Sequence, residues 1–247
     1  MKIDAVEIAK LGQYAENVYF GKPCGLMDQM ACSVGSLCQI DFKNPEEPVI
    51  DRVEFDLSSV GYSLCITDTL GSHADLTPDY AAVPVEMKNA ASCFSKEVLR
   101  EVDRDELLAG INKIRKAYGD RAALRALHFL EENERAVLEA KALKDNDFEE
   151  FLRLFKASGD SSYKYLQNVY TNHDVEHQNV SVGLCISELV LGDKGVARVH
   201  GGGFAGTIQA FVKNDVVEKY KKAMDDLFGE GSCNVLMIRK YGGIKVA

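Results

Sequence analysis

The stretch GKPCGLMDQMACSVG, Gly21–Gly35, sets one carboxylate, Asp28, at the head of an apolar run and gives it no local cationic partner. Two readings fit it. Asp accepts hydrogen bonds from free amides in the first turn of a helix, so Asp28 can be a simple helix cap. Alternatively it is a general base that takes the proton of a substrate hydroxyl, or an anion that orients it, with Gly25 letting a ligand approach the backbone closely.

Upstream, residues 4–19 carry Val6, Ile8, Ala9, Leu11, Tyr14, Ala15 and Val18 at helical spacing, and Gly21 and Pro23 stop that helix. Downstream, SLCQIDF and PVIDRVEFDL flank the turn-like KNPEEP and predict a hairpin, and YSLCITDT predicts a buried strand. Helices are expected over 84–101, 103–117, 121–143, 146–158 and 176–191, with a turn or short helix over 161–170. GVARVHGGGFAGTIQAFV reads as strand, glycine corner and strand, DVVEKYKKAMDDLFGE as an amphipathic helix, and NVLMIRKYGGIKV as a closing strand. Strands near both ends with helices massed between them predict an α+β layered fold.

The 247 residues, 46% apolar, suffice for one large domain or two small ones. A net charge of -9 argues against general affinity for nucleic acid or an anionic membrane and points to a small molecule or another protein as partner. No continuous apolar segment opens the chain, so neither a signal peptide nor a membrane span is expected and the cytoplasm is the default. Seven scattered cysteines, never in a C-x-x-C arrangement, predict buried reduced thiols. His173 and His177 stand four apart, as metal ligands on one helical face do, but no third ligand has suitable spacing and a solvated pair is the better reading.

Two further stretches bear chemistry. In HGGGFAG, His200–Gly206, three consecutive glycines cost backbone entropy and call for positive φ or a tight approach, and exposed amides in such a loop can cradle a phosphate. The loop has neither the Gly-Lys-Ser/Thr ending of a P-loop nor the dinucleotide spacing. TDTLGSHADLTPDYAAVP, Thr67–Pro84, reads as a strand end and polar loop with Tyr80 near its exit. That tyrosine is either packed with its hydroxyl paired or placed to recognise a polyhydroxylated ligand.

PCGLMDQMA, the strand ending in TDT with its downstream H-x-x-L-x-x-x-Y, and RVHGGGFAGTIQAFV together resemble the galactokinase branch of the GHMP kinases in order, distance and wording. The resemblance covers essentially the whole chain. It implies a GHMP C-terminal-type layered fold over residues 56–247, an antiparallel sheet packed with helices, preceded in residues 1–55 by a remnant of the N-terminal domain that carries Asp28. It further implies that Asp28 is the catalytic base at the sugar's C1 hydroxyl, that Gly25 gives a backbone contact to the sugar, and that the Tyr80 hydroxyl reaches it. Gly201, Gly202 and Gly203 match the motif that supports the phosphate-binding region, and His73 lies on a loop near the nucleotide. The implied reaction is transfer of the γ-phosphoryl of ATP, with Mg2+, to O1 of galactose or a related hexose.

The sequence departs from that family in holding no G-E-H-T-D-like or G-L-S-S-S-like string, and AAVPVEMK follows Tyr80 where arginines are common. The expectation is therefore the C-terminal portion of a galactokinase-like protein, holding half an active site and needing the N-terminal half for activity. Unpaired hairpin edges predict self-association or pairing with an N-terminal piece. A non-catalytic, sugar-responsive binding or regulatory module, or an inactive truncated kinase, is the alternative.

Overall fold

In the computed structural model, which describes residues 3–21, 24–72 and 76–244, the chain divides into two units. Unit 1 comprises Met1–Asp56, Ala140–Asp147 and Met237–Ala247, and unit 2 comprises Leu57–Glu139 and Phe148–Leu236.

Unit 1 opens with helix α1, Ala5–Tyr14, whose start is fixed by a capping box: the Glu7 amide donates to Asp4 Oδ1 at 2.9 Å and the Asp4 amide to Glu7 Oε2 at 3.2 Å. One wide π turn, Ala15–Tyr19, carries it on. Ala9 faces helix α2, Met27–Val34, and Gln29 Nε2 donates to Glu16 Oε1 at 3.1 Å. Strands β1, Leu37–Asp41, and β2, Val49–Val53, form the expected antiparallel hairpin with Leu37 opposite Val53.

The closing strand is shorter than its sequence predicts. Strand β6 spans only Cys233–Leu236, and Arg239–Gly243 instead lies against the end of α2 in unit 1. There Ser36 N donates to Arg239 O at 2.9 Å and Gly243 N to Ser33 O at 3.2 Å. The glycines permit this approach, since a Cβ on Gly242 would lie 1.9 Å from Ser33 O.

Unit 2 is built on an antiparallel sheet of order β4-β5-β3-β6, with β3 at Tyr62–Asp68, β4 at Gly195–Val199 and β5 at Thr207–Lys213. Alternation along β5 divides its side chains between two faces. Ile208, Ala210 and Val212 pack with helices α8, Asn179–Leu191, and α9, Val217–Phe228, around Tyr220 and Met224. Phe211 meets the rings of Phe151 and Phe155 on α7, Phe148–Ser161, with centroids 5.2 and 4.9 Å away. This helix-covered antiparallel sheet is the α+β layered fold expected.

A second core in unit 2 joins helix α3, Thr77–Ser92, to α4, Arg104–Ala109, α5, Ile111–Tyr118, and α6, Asp120–Lys144, around Ala90, Leu107, Ile114 and Ala126. Pro84 does not start α3, as its sequence suggests, but lies inside it, seven residues past a Thr77-Pro78 opening that suits a first helical turn. Tyr80 is accordingly helical and not part of a loop. Glu86 on α3 accepts from both Arg121 Nε at 3.0 Å and Arg125 Nη1 at 2.9 Å, and Arg125 Nε also donates to Leu166 O at 3.0 Å. Burial pulls the Arg125 guanidinium down from its ordinary pKa, whereas the hydrogen bond to Glu86 raises that of Arg121.

His128 on α6 is buried, with Nδ1 2.9 Å from Ser161 Oγ. Burial first, then the charges of Arg198 and Arg135, lower its pKa from 6.5 to about 4. The unfolded chain thus binds more protons between these values, so this contribution is complete above pH 6.5 and disappears as pH falls toward 4. It amounts to about 3 kcal/mol. Urea midpoints measured at pH 7 and at pH 4.5 should fall further for the natural chain than for His128→Gln; equal falls would contradict this origin.

Candidate functional site

The glycine corner between β4 and β5 has a defined architecture within unit 2. Gly201, Gly203 and Gly206 take φ of +70°, +79° and +85°, and Phe204, a buried non-glycine residue, takes +59°. Ala205 N donates back to Gly203 O at 2.7 Å, closing a three-residue turn over Phe204. Three carbonyls of the bend are held by protein side chains. Asn168 Nδ2 donates to Gly202 O at 3.1 Å, the Tyr80 hydroxyl to Gly203 O at 2.7 Å, and Thr69 Oγ1 to Gly206 O at 2.7 Å. Among the described residues, nothing accepts from the amides of Gly201, Gly202 or Gly203. With Gly201 and Gly202 exposed, the bend has three carbonyls occupied while the amides of its three glycines remain available to an anion.

The need for glycine is steric here. A Cβ on Gly203 would sit 1.9 Å from Asn168 O, and one on Gly202 2.9 Å from Tyr80 Cε1. Gly203→Ala adds that clash to a left-handed φ, so urea denaturation should show a loss of at least about 2 kcal/mol. A loss under about 0.5 kcal/mol would mean the bend relaxes freely.

Tyr80 packs edge-on against Phe204 with centroids 5.3 Å apart. Burial, augmented by the Asp79 charge, pushes its phenol up from the ordinary value, so it remains a donor to Gly203 at neutral pH. The adjacent Asp79 is buried and accepts from Thr171 Oγ1 at 2.9 Å, with His173 Nε2 3.8 Å from its other oxygen. His177 Nδ1 lies 2.8 Å from Asp174 Oδ2. The two histidines precede α8 and share no helical face. Among the described residues no group of three or more His, Cys, Asp or Glu could hold a metal.

Asp28 and Gly25 belong to unit 1. Asp28 is exposed in the first turn of α2 but is not its N-cap, which is Leu26, and no side chain caps that end. Among the described residues its carboxylate has no hydrogen bond or ion pair. Gly25 is exposed, and a Cβ there would meet open space. His73 lies outside the described residues. Cys32 and Cys185 are exposed, against the expectation of buried thiols, while Cys65, Cys93 and Cys233 are buried; all seven cysteines are free. No helix among the described residues is long and apolar enough to cross a membrane.

Asn168 was not legible as a site residue. Its place follows from Gln167, whose left-handed φ of +56° ends the π turn Ser162–Leu166 and directs the chain toward the bend. A glutamine gives no sequence sign of that conformation, since glycine or asparagine is the usual marker.

No protein-family model matches the chain. Over 230 residues it is 28% identical to a galactokinase of Actinobacillus pleuropneumoniae, covering 92% of this chain and 56% of that one. The chain therefore spans little more than half the length of this curated relative. Its fold superimposes on a crystal structure of Lactococcus lactis galactokinase complexed with galactose at a TM-score of 0.74 and 24% identity, covering 98% of this chain and 61% of that one. It also superimposes on L. major mevalonate kinase in complex with R-mevalonate at 0.55 and 13% identity, covering 96% of this chain and 59% of that one. By sequence the chain is similar to galactokinases, and its fold is shared with solved structures of galactokinase and mevalonate kinase.

Proposed function

We propose that this chain forms part of an ATP-dependent cytoplasmic kinase that phosphorylates galactose, or a closely related hexose, at O1. The observation that carries the reading is the glycine bend, where the carbonyls of Gly202, Gly203 and Gly206 are engaged and the amides of Gly201–Gly203 are left to an anion. The likeness to galactokinases supports galactose as the acceptor, and the L. lactis relative was solved with galactose.

A sugar hydroxyl is a poor nucleophile until its proton has somewhere to go. Asp28, exposed and unpaired among the described residues, is the proposed acceptor of that proton, with Gly25 giving the sugar room beside it. Tyr80 donates to Gly203, and a phenol oxygen can accept as well as donate, so one side chain can hold the bend and receive a sugar hydroxyl. ATP supplies the transferred phosphoryl, and the amides of Gly201–Gly203 are the proposed donors to its oxygens, fixing geometry in a reaction that depends on positioning. The described residues do not fit a Mg2+ site, so no step is assigned to the metal here. Its ligands, and the rest of the phosphate site, are proposed to come from residues beyond these 247, in the same polypeptide or a second one.

Supplied with the galactokinase segment that its match leaves uncovered, the chain should release ADP from ATP only when galactose is present. N-acetylgalactosamine, mevalonate and homoserine serve as comparison acceptors. Release independent of galactose, or faster with another acceptor, would overturn the reading, and galactose binding without turnover would favour a non-catalytic sugar-responsive module.

A further inference from the structure

We infer that Asn168 is a positioning residue that sets the glycine bend in its anion-receiving form, an inference that rests on the function proposed above. Asn168 is 3% exposed and contacts the bend from two directions. Its side-chain Nδ2 donates to Gly202 O at 3.1 Å, and its main-chain oxygen accepts from Phe204 N at 2.5 Å. The first bond turns the Gly202 carbonyl toward the protein. The second holds the residue after the glycines, whose φ of +59° is costly for a phenylalanine and persists only where neighbours enforce it. Between these two anchors lies Gly203, which has room for no side chain against Asn168.

Stability alone does not account for an asparagine at this position. Among the described residues its Oδ1 is buried with no hydrogen-bond partner, a destabilising arrangement that an apolar side chain of the same size would avoid. The amide is useful for its donor. With that donor removed, the Gly202 carbonyl is free to rotate outward, and rotation of the Gly202–Gly203 peptide carries the Gly203 amide inward. The bend would then present an acceptor where it now presents donors, and an incoming phosphate would be repelled.

The support beneath Asn168 is equally specific. Arg125 holds Leu166 O at 3.0 Å, two residues before it, so the segment that delivers the asparagine is itself tied to the α3–α6 core. Tyr80 completes the clamp from the opposite side through Gly203 O.

The test titrates inorganic triphosphate into the isotope-labelled chain and follows the amide resonances of Gly201–Gly203. Asn168→Leu keeps the volume and loses the donor, and Asn168→Asp keeps the shape and replaces the donor with a negative acceptor. The natural chain should show saturable shifts, and both variants should bind about tenfold or more weakly, the worth of one well-placed hydrogen bond to a charged site. Melting curves separate this from a scaffold role, which would lower the midpoint and leave the anion response intact. If either folded variant matches the natural chain in affinity, Asn168 does not position the bend while the phosphate reading stands. If the natural chain itself gives no shift at these amides, the phosphate reading fails and the role of Asn168 with it.

Discussion

Asp28→Asn should lower kcat of the completed kinase by about 10²–10⁴-fold and leave KM for galactose within about threefold, because loss of a general base removes an interaction that matters only as the proton moves. The substitution keeps the side chain's size and its ability to accept one hydrogen bond, so binding geometry persists. Asp28 contributes little to folding: it is exposed, it is not the helix cap, and among the described residues it has no partner. A helix-cap role predicts the opposite pattern, with a stability change of about 1 kcal/mol and normal turnover. Melting curves and steady-state kinetics on one preparation therefore separate the two readings of the opening stretch. A rate within about threefold of the natural enzyme would remove Asp28 from the chemistry.

The largest structural effect is expected at Glu86. Its carboxylate, 18% exposed, is the shared acceptor of Arg121 and Arg125, and Arg125 is only 1% exposed. Glu86→Ala leaves a buried guanidinium without its ion-pair partner, with only the more distant charge of Asp79 acting on it, and the expected loss is about 3–5 kcal/mol in urea denaturation. Arg125 has a second bond to Leu166 O, which keeps one nitrogen satisfied but supplies no negative charge. A double variant, Glu86→Leu with Arg125→Met, should be less destabilised than Glu86→Ala alone, because the charge and its desolvation are removed together. If the single variant loses less than about 1 kcal/mol, water reaches Arg125 and the pair is not a structural centre.

What the sequence revealed follows from the range over which each signal acts. The strands β3, β4 and β5 and the glycine corner were legible because alternation and three consecutive glycines are local patterns, and their pairing in register Val199 to Ile208 brackets the bend. The end of the first helix ahead of the aspartate was legible through Gly21 and Pro23. The start of α3 was not, because Pro84 looks like an opening signal while the true one, Thr77-Pro78, follows a polar run. The last strand was overextended because Val235–Ile238 is apolar throughout, whereas the glycine pair after Tyr241 allows the backbone to meet Ser33. Asn168 and the Glu86–Arg125 pair depend on partners 34 and 39 positions away, a separation at which one sequence carries no pairing signal.

These long-range contacts are the ones that convert a flexible glycine run into a fixed surface. Thr69 from the end of β3, Tyr80 from α3 and Asn168 after α7 each claim one carbonyl, so three elements far apart in sequence converge on seven residues of loop. Such convergence explains how a segment with so much backbone freedom can offer donors in one arrangement at little reorganisation cost when a ligand arrives.

The proposed reaction is tested most directly by phosphorus NMR of the material formed when the completed kinase is incubated with galactose and MgATP. Transfer to O1 should yield a sugar monophosphate whose phosphorus couples to the anomeric proton. Phosphate on any other hydroxyl, or ADP and free inorganic phosphate without a sugar ester, would contradict it.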